Sequence, residues 1–332
     1  MNTATARAAY VAVGLGLLSA LFFTATYVLN RAAASSGGDW LWTASLRYLF
    51  TLPLLLPLMR WQGGIAPVLV SLRHRPGPWL LWSGVGFGVF YVCMAWAAAT
   101  GPSWLVAGSF QLTVVAGMLC APLLYRDERR RVPRTVLAVG SLMVAGVLLM
   151  QFDAADGALR GADWLALLVV AIAAVAYPLG NRGLLLHLER SGENLNASQR
   201  VFGMTLASQP LWLLLAAAGF ARGGLPSVEQ AGLALGVALF AGVIATVLFF
   251  EATGRVRHQP GALGAVEAMQ AAEIVFAAGF GALLLHEALP GGLGMLGAAV
   301  VMGGIVVLGL LAGREAAGEQ RRLAALRSER GA

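Results

Sequence analysis

The sequence contains no lysine, two cysteines and few charges of either sign. Only 12% of its 332 residues are charged, against the roughly 25% of an ordinary soluble domain, which excludes a conventional water-soluble fold. A hydrophobic share of 58% excludes intrinsic disorder as well, because chains stay unfolded through low hydrophobicity and high charge. All 23 basic residues are arginine and the net charge is +7. They sit in short stretches between apolar runs, with no continuous basic face of the kind a nucleic-acid surface needs. Cys93 and Cys120 lie inside apolar runs without spaced partners, so no disulfide framework, metal site or redox motif is read. His74, His187, His258 and His286 fall in loops or at the ends of runs, and no His-Glu-x-x-His pair exists, so neither a metal nor another cofactor is expected. No Gly-x4-Gly-Lys-Ser/Thr loop is present, which argues against direct ATP drive.

What remains is apolar length. A bilayer core of about 30 Å takes about 20 residues of helix to cross. Ten runs of that order occur: 9–29, 41–59, 79–98, 104–124, 136–150, 164–180, 201–220, 232–250, 263–285 and 293–312. They are unalternating and too long for barrel strands, and hydrocarbon satisfies no open backbone, so they predict helices. The first run, of full spanning length and followed by nine more, is expected to be a retained span rather than a cleaved signal. Of the 23 arginines, 18 fall in the segments that share a side with the N-terminus. Arginine is retained in short cytoplasmic loops, so both termini are expected in the cytoplasm of a prokaryote, with the chain in its plasma (inner) membrane. The fold class expected is all-α: a polytopic membrane protein of ten transmembrane helices.

The second half echoes the first at a shift that drifts from 151 to 159 residues. Asn30-Arg31 recurs as Asn181-Arg182, Ala44-Ser45-x-Arg47 as Ala197-Ser198-x-Arg200, and Pro57 as Pro210. Ala99-Thr100-Gly101 recurs as Ala252-Thr253-Gly254, Gln111 as Gln270 and Glu128 as Glu287. Each copy holds five spans, an odd number, so the second enters the membrane from the opposite side. Residues 1–152 are therefore read as one five-helix repeat, 153–312 as its inverted copy and 313–332 as a cytoplasmic tail. Exchanging conformations between inverted halves is the physical basis of alternating access.

With these residues in view, the chain resembles the drug/metabolite transporter superfamily, whose EamA-type members are ten-helix bundles around a central cavity. The stretch Phe22-Phe23-Thr24-Ala25-Thr26-Tyr27-Val28-Leu29-Asn30-Arg31, then Ser36-Gly37-Gly38-Asp39-Trp40 and Thr43-Ala44-Ser45-Leu46-Arg47-Tyr48, is similar to its multidrug-resistance efflux branch. The resemblance implies a secondary exporter. Related four-helix multidrug proteins carry a membrane glutamate in their first helix. Here the first span offers Ser19, Thr24, Thr26, Tyr27 and Asn30 but no acid.

Acids inside hydrocarbon are costly, at about 2.5 to 3.5 kcal/mol on the lenient insertion scale, and mark function. Glu273 lies about 15 Å into the ninth run and Glu267 about 6 Å, with Gln270 between them; Glu251 closes the eighth run. Glu273, with Glu267, is the expected site of proton exchange for substrate, the alternatives being hydrogen-bonded acids without that role or, for Glu267, a carboxylate that simply reaches cytoplasmic water. The expected cavity wall comprises Tyr27, Asn30, Tyr91, Trp96, Trp104, Gln111, Tyr177 and Asn181, whose rings suit flat or cationic solutes. Arg47 and Arg200 are read as interface anchors, the alternative being that they pair with gate carboxylates or bind an anionic substrate. Trp40, Trp42, Trp79, Trp82, Trp104 and Trp164 are read as interfacial tryptophans.

The expected function is export of a small organic solute, drug or metabolite, by proton-coupled alternating access, with the lipid bilayer and a proton as partners. The same architecture would serve uptake, and a monomer and a homodimer stay open. An intramembrane enzyme is the competing class, disfavoured by the scattered histidines and the absence of Gly-x-Gly-Asp. The topology carries a direct prediction: tags at the N-terminus and after Arg314 report the same side of the membrane, and a tag in the loop near Arg160 the opposite one. Accessibility labelling of intact cells checks it.

Overall fold

The computed structural model describes residues 3–126, 132–256 and 260–330. Its described residues form helices and connecting turns, with no strand among them. Among the described residues, nine helices are long and apolar enough to cross a membrane. In chain order these are α1 (Ala9–Ser35), α2 (Trp40–Met59), α3 (Pro76–Ala97), α5 (Arg134–Ala154), α6 (Gly161–Ser191), α7 (Ala197–Gly223), α8 (Val228–Arg255), α9 (Ala262–Leu285) and α10 (Gly292–Leu311). The expected fourth span is the shorter apolar segment α4 (Ser103–Leu119). It is interrupted at Gln111 and followed by the single turn Ala121–Leu124. The helix containing α10 continues to Arg330.

Several ends differ from the apolar runs for identifiable reasons. Helix α6 does not stop at Gly180: it runs on to Ser191, where Gly192 takes the left-handed conformation (φ 70°) that caps a helix C-terminus. Pro178 lies within it. Helix α7 starts at a capping box, in which the Asn196 side chain accepts from the Gln199 N–H at 2.9 Å and the Gln199 side chain accepts from the Asn196 N–H at 3.1 Å.

Helix α1 is interrupted at Thr24 with no counterpart in the continuous α6, but two pairs of interior irregularities correspond. Helix α3 widens into a π-helical segment at Gly84–Val89, and α8 does so at Ala238–Ala245. Helix α4 breaks at Gln111, and α9 tightens to a 3-10 turn at Met269–Ala271. The packing shows the same correspondence. Helix α1 lies against α8 and α9, while α6 lies against α3 and α4; α2 meets α7, and α5 meets α10.

The interior holds two large clusters and a small one at Ala12, Ala252, Val256 and Val266. An aromatic core joins Tyr27, Tyr48, Trp79, Phe87, Phe90, Tyr91, Phe202 and Trp212. A mostly aliphatic one joins Trp104, Met143, Met150, Ile274, Val301 and Leu308 from α4, α5, α9 and the helix of α10. Large apolar side chains such as Leu81, Leu213, Leu214, Leu283 and Leu284 are exposed on the outside, as suits a surface solvated by acyl chains. Two tryptophans depart from the interfacial expectation. Trp79 and Trp104 are buried, their indole N–H groups donating to Ser71 Oγ at 2.9 Å and the Ala288 carbonyl at 3.2 Å. An internal acceptor satisfies each indole, so neither needs the wet interface. Trp164 is exposed, as expected.

Close helix crossings use glycine because lipid supplies little hydrophobic drive between spans and contact must come from backbone approach. A Cβ added to Gly146 of α5 would stand 2.8 Å from the Gly297 carbonyl oxygen of α10. Gly303, also in α10, faces open space. Gly146→Ala is therefore expected to destabilise the protein by about 1–3 kcal/mol, the usual cost of overpacking, and Gly303→Ala to leave it unchanged. Thermal unfolding in detergent compares the two.

Candidate substrate and ion site

The centre of the bundle is built on Glu273, the one acid among the described residues classed as buried, with 6% of its surface exposed. It follows the 3-10 turn of α9 directly. Its Oε2 accepts from the Tyr27 hydroxyl of α1 at 2.7 Å and from Gln111 Nε2 of α4 at 3.5 Å. The Gln111 amide also reaches the Gln270 backbone carbonyl at 3.4 Å. The two helix interruptions thus face one another, and the side chain at one break serves the backbone at the other. Gln270 Nε2 is buried without a partner.

One turn along α1 from Tyr27, Asn30 is buried. Its amide and the Tyr91 hydroxyl of α3 lie 2.9–3.0 Å apart. The Arg47 guanidinium sits over the Tyr91 ring at 4.0 Å and over that of Tyr48 at 5.3 Å. Tyr48 stacks face to face on Trp212 of α7, with centroids 4.5 Å apart and planes at 3°. Gln209 of α7 adds an amide to the Tyr48 carbonyl at 3.1 Å. Tyr177 of α6 closes the group through its ring, 4.9 Å from that of Phe90 and 6.1 Å from that of Phe110.

The structure brings Tyr27, Asn30, Tyr91, Gln111, Gln270, Glu273 and Arg47 together, but not every expected residue joins them. Glu267 is exposed, because it stands almost two turns before Glu273 and on another face. Asn181 spends its amide on the Tyr177 carbonyl at 2.7 Å. Trp96 is half-buried near the end of α3 and makes none of these contacts. Arg47 is no interfacial anchor: only 8% of its surface is exposed, since α3 and α7 cover that part of α2. Arg200, half-buried, donates to the Leu195 carbonyl at 2.8 Å near the start of α7. Glu251 is exposed and pairs with Arg255 at 2.8 Å, one turn on.

A second polar group lies at the end of α1. Arg31 Nε donates to Glu287 at 3.2 Å, and Arg31 Nη1 reaches the Ala98 and Ala99 carbonyls at 3.2 Å. Glu287 also accepts from the Ser103 backbone N–H at 2.9 and 3.1 Å, an anion at the N-terminus of α4. Three segments are thus joined: the end of α1, the α3–α4 turn and the α9–α10 turn. Sequence reasoning passed over this pair, although the repeat marked both residues by aligning Arg31 with Arg182 and Glu287 with Glu128. Arg182 donates to the Gly117 carbonyl, while Glu128 lies outside the described residues. Among the described residues no group of three or more His, Cys, Asp or Glu side chains could hold a metal ion.

Comparison with known proteins bears on the polytopic layout described above. Residues 10–314 match the family described as "Putative multidrug resistance efflux transporter". The chain belongs to that family. Its relatives among curated proteins include the uncharacterized protein YjlA of Bacillus subtilis (strain 168), 42% identical over 89% of this chain and 93% of its own length. An uncharacterized 42.1 kDa protein encoded beside an intracellular alkaline protease of Shouchella clausii is 41% identical. That match covers 74% of this chain and 65% of the relative. A protein crystal structure, 17% identical, superposes with a TM-score of 0.54 over 91% of this chain and 98% of its own; at that identity the likeness shows the fold alone. As a member of the multidrug-resistance efflux transporter family, the chain is a multi-pass membrane protein of a transporter class.

Charge-assisted hydrogen bonds contribute about 1.5–3 kcal/mol each, so Glu287→Gln should loosen the α3–α4 turn. Backbone amides between Ala98 and Ser103 are expected to exchange about tenfold faster, the equivalent of about 1.4 kcal/mol. Hydrogen–deuterium exchange in nanodiscs measures this.

Proposed function

We propose that this family member exports small organic solutes across the plasma membrane by proton-coupled alternating access, with Glu273 as the residue that exchanges the proton. The observation that carries the reading is the carboxyl of Glu273, buried mid-bundle and met by Tyr27 at 2.7 Å and Gln111 at 3.5 Å. A carboxyl deep in a membrane bundle is expensive unless function retains it. Its contacts come from α1, α4 and α9, helices assigned to both halves of the chain, so gaining or losing a proton there acts on the joint between them.

Residues 1–152 and 153–312 form the two halves, inverted relative to one another, with both termini cytoplasmic. The paired π segments, the paired breaks at Gln111 and Gln270 and the corresponding helix neighbours support this reading. So does the match of Arg31 and Asn30 to Arg182 and Asn181. Rocking one half against the other opens the central group to alternate faces. The Arg31–Glu287 link ties one end of the bundle shut and is released in the opposite state.

Glu273→Gln keeps the shape and the acceptor oxygen but removes the titrating proton. In liposomes carrying a pH gradient, this variant is expected to lose proton-driven accumulation of substrate by at least about tenfold while still equilibrating substrate down its own gradient. Undiminished proton-driven transport by the variant overturns the assignment. The side of the membrane on which substrate accumulates relative to the gradient decides between export and uptake.

A further inference from the structure

Arg47 stands apart from the other arginines of the bundle. It lies seven residues into α2, about 10 Å along the axis, and is more than nine-tenths buried. Among the described residues no carboxylate pairs with it, Nη1 is enclosed without any partner, and the polar contact its guanidinium does have is with Tyr91. Its contacts are the faces of Tyr91 and Tyr48. Arginine does not shed its charge in proteins, and ring faces offset only part of the cost of desolvating it. By contrast Arg200, its counterpart in the second half, has a carbonyl acceptor, and Arg31 has a carboxylate.

The chain therefore carries in its interior a permanent cation with no counter-charge beside it among the described residues, connected to the proposed proton site by contact. Tyr91, under the guanidinium, is hydrogen-bonded to Asn30, one helical turn from Tyr27, which holds Glu273. The guanidinium fork matches two oxygens of an oxyanion and can hold them through two parallel hydrogen bonds. The walls around it are aromatic, through the Tyr48–Trp212 stack and the Tyr91 edge, so the body carrying the oxyanion is apolar or aromatic.

We propose that Arg47 is the recognition site for the anionic group of the solute: the substrate is an organic anion, a carboxylate or sulfonate on an apolar or aromatic body, and its oxyanion supplies the partner that the protein withholds. This deepens the transport reading and rests on it, naming the class of solute carried. It takes up the anionic-substrate alternative for Arg47, beside the flat or cationic solutes that the aromatic wall alone suits.

Titration calorimetry on purified full-length protein in nanodiscs tests the assignment through binding, independently of flux. The probes are phenylacetate and benzenesulfonate as anions, phenylacetamide as the neutral isostere, phenethylammonium as the cation and sodium sulfate as an anion without a body. The wild type is expected to bind at least one organic anion about tenfold or more tightly than the amide, the cation or sulfate, the margin of a charge-assisted pair over a neutral contact. Arg47→Gln is expected to bring the acid-to-amide ratio to about one, while Arg47→Lys keeps part of the preference because it retains charge and loses the fork. The unliganded Arg47→Gln protein should melt close to the wild type, the lost contacts with Tyr91 and Tyr48 being offset by removal of a buried charge that has no counter-charge. Equal affinity for acid and amide in the wild type overturns the proposal, as does an acid preference that survives in Arg47→Gln, failure of both organic anions to bind, or sulfate binding as well as they do. Should Arg47→Gln fail to fold, an Arg47→Lys protein with the full wild-type preference and fork-like affinity also overturns it. Binding with the expected Arg47 dependence but no liposome flux keeps the site and sinks the carrier. Flux of solutes indifferent to Arg47 keeps the carrier and sinks the site.

Discussion

Hydrocarbon provides no hydrogen-bond partners, and that constraint orders everything else in this bundle. Backbone groups are satisfied within helices; where a helix is interrupted, a side chain steps in, as Gln111 does for the Gln270 carbonyl. The same accounting explains the buried indoles of Trp79 and Trp104, each with an acceptor, and the Arg31–Glu287 link, where both charges find several partners. Against so complete a pairing, the exceptions carry meaning. Of the seven buried side-chain polar atoms left unmatched among the described residues, Arg47 Nη1 and Gln270 Nε2 lie in or beside the group around Glu273.

The interior is split by task. Side chains that pack without chemistry, such as Met143, Met150, Val301 and Leu308, hold the α5–α10 pair together. Aromatic and polar side chains concentrate where α1, α2, α3, α6 and α7 converge. Tyr48 illustrates the economy of the second region: one face stacks on Trp212, its edge meets Tyr91, and its carbonyl accepts from Gln209. A rigid aromatic surround positions polar tips with little loss of rotamer freedom, which is what a site of defined geometry requires.

Much of this layout was legible in the residues. Long apolar runs revealed the kind of spans and nine of the ten expected, the fourth being shorter and broken at Gln111, and the scarcity of acids in those runs singled out Glu273. The repeat led to Gln111 and Gln270, and the motif around Asn30-Arg31 led to the family. Depth was harder to read. Counted along the chain, Arg47 lies near the start of its run and resembles an anchor, but burial depends on which neighbours cover a position, and α3 and α7 do so here. Trp79 and Trp104 were misjudged for the same reason. The partnership of Arg31 with Glu287 joins residues 256 positions apart, and no local pattern announces so distant a pair. The end of α6 was misplaced because polar Asn181 and Arg182 read as a boundary, whereas each finds a carbonyl and the helix goes on.

The π-helical segment of α3 has a geometric corollary. A wide turn holds one residue more than the helix count allows, so every side chain beyond it is rotated by about 100° from where an unbroken helix would aim it. Tyr91 follows Gly84–Val89 by two positions, and its bearing toward Asn30 and Arg47 is owed to that surplus residue. Shortening the segment by a single residue would leave the helix intact and its hydropathy unchanged, yet turn the ring away from both. The compass direction of the central aromatic is thus encoded in a length, with no residue in the site itself recording it.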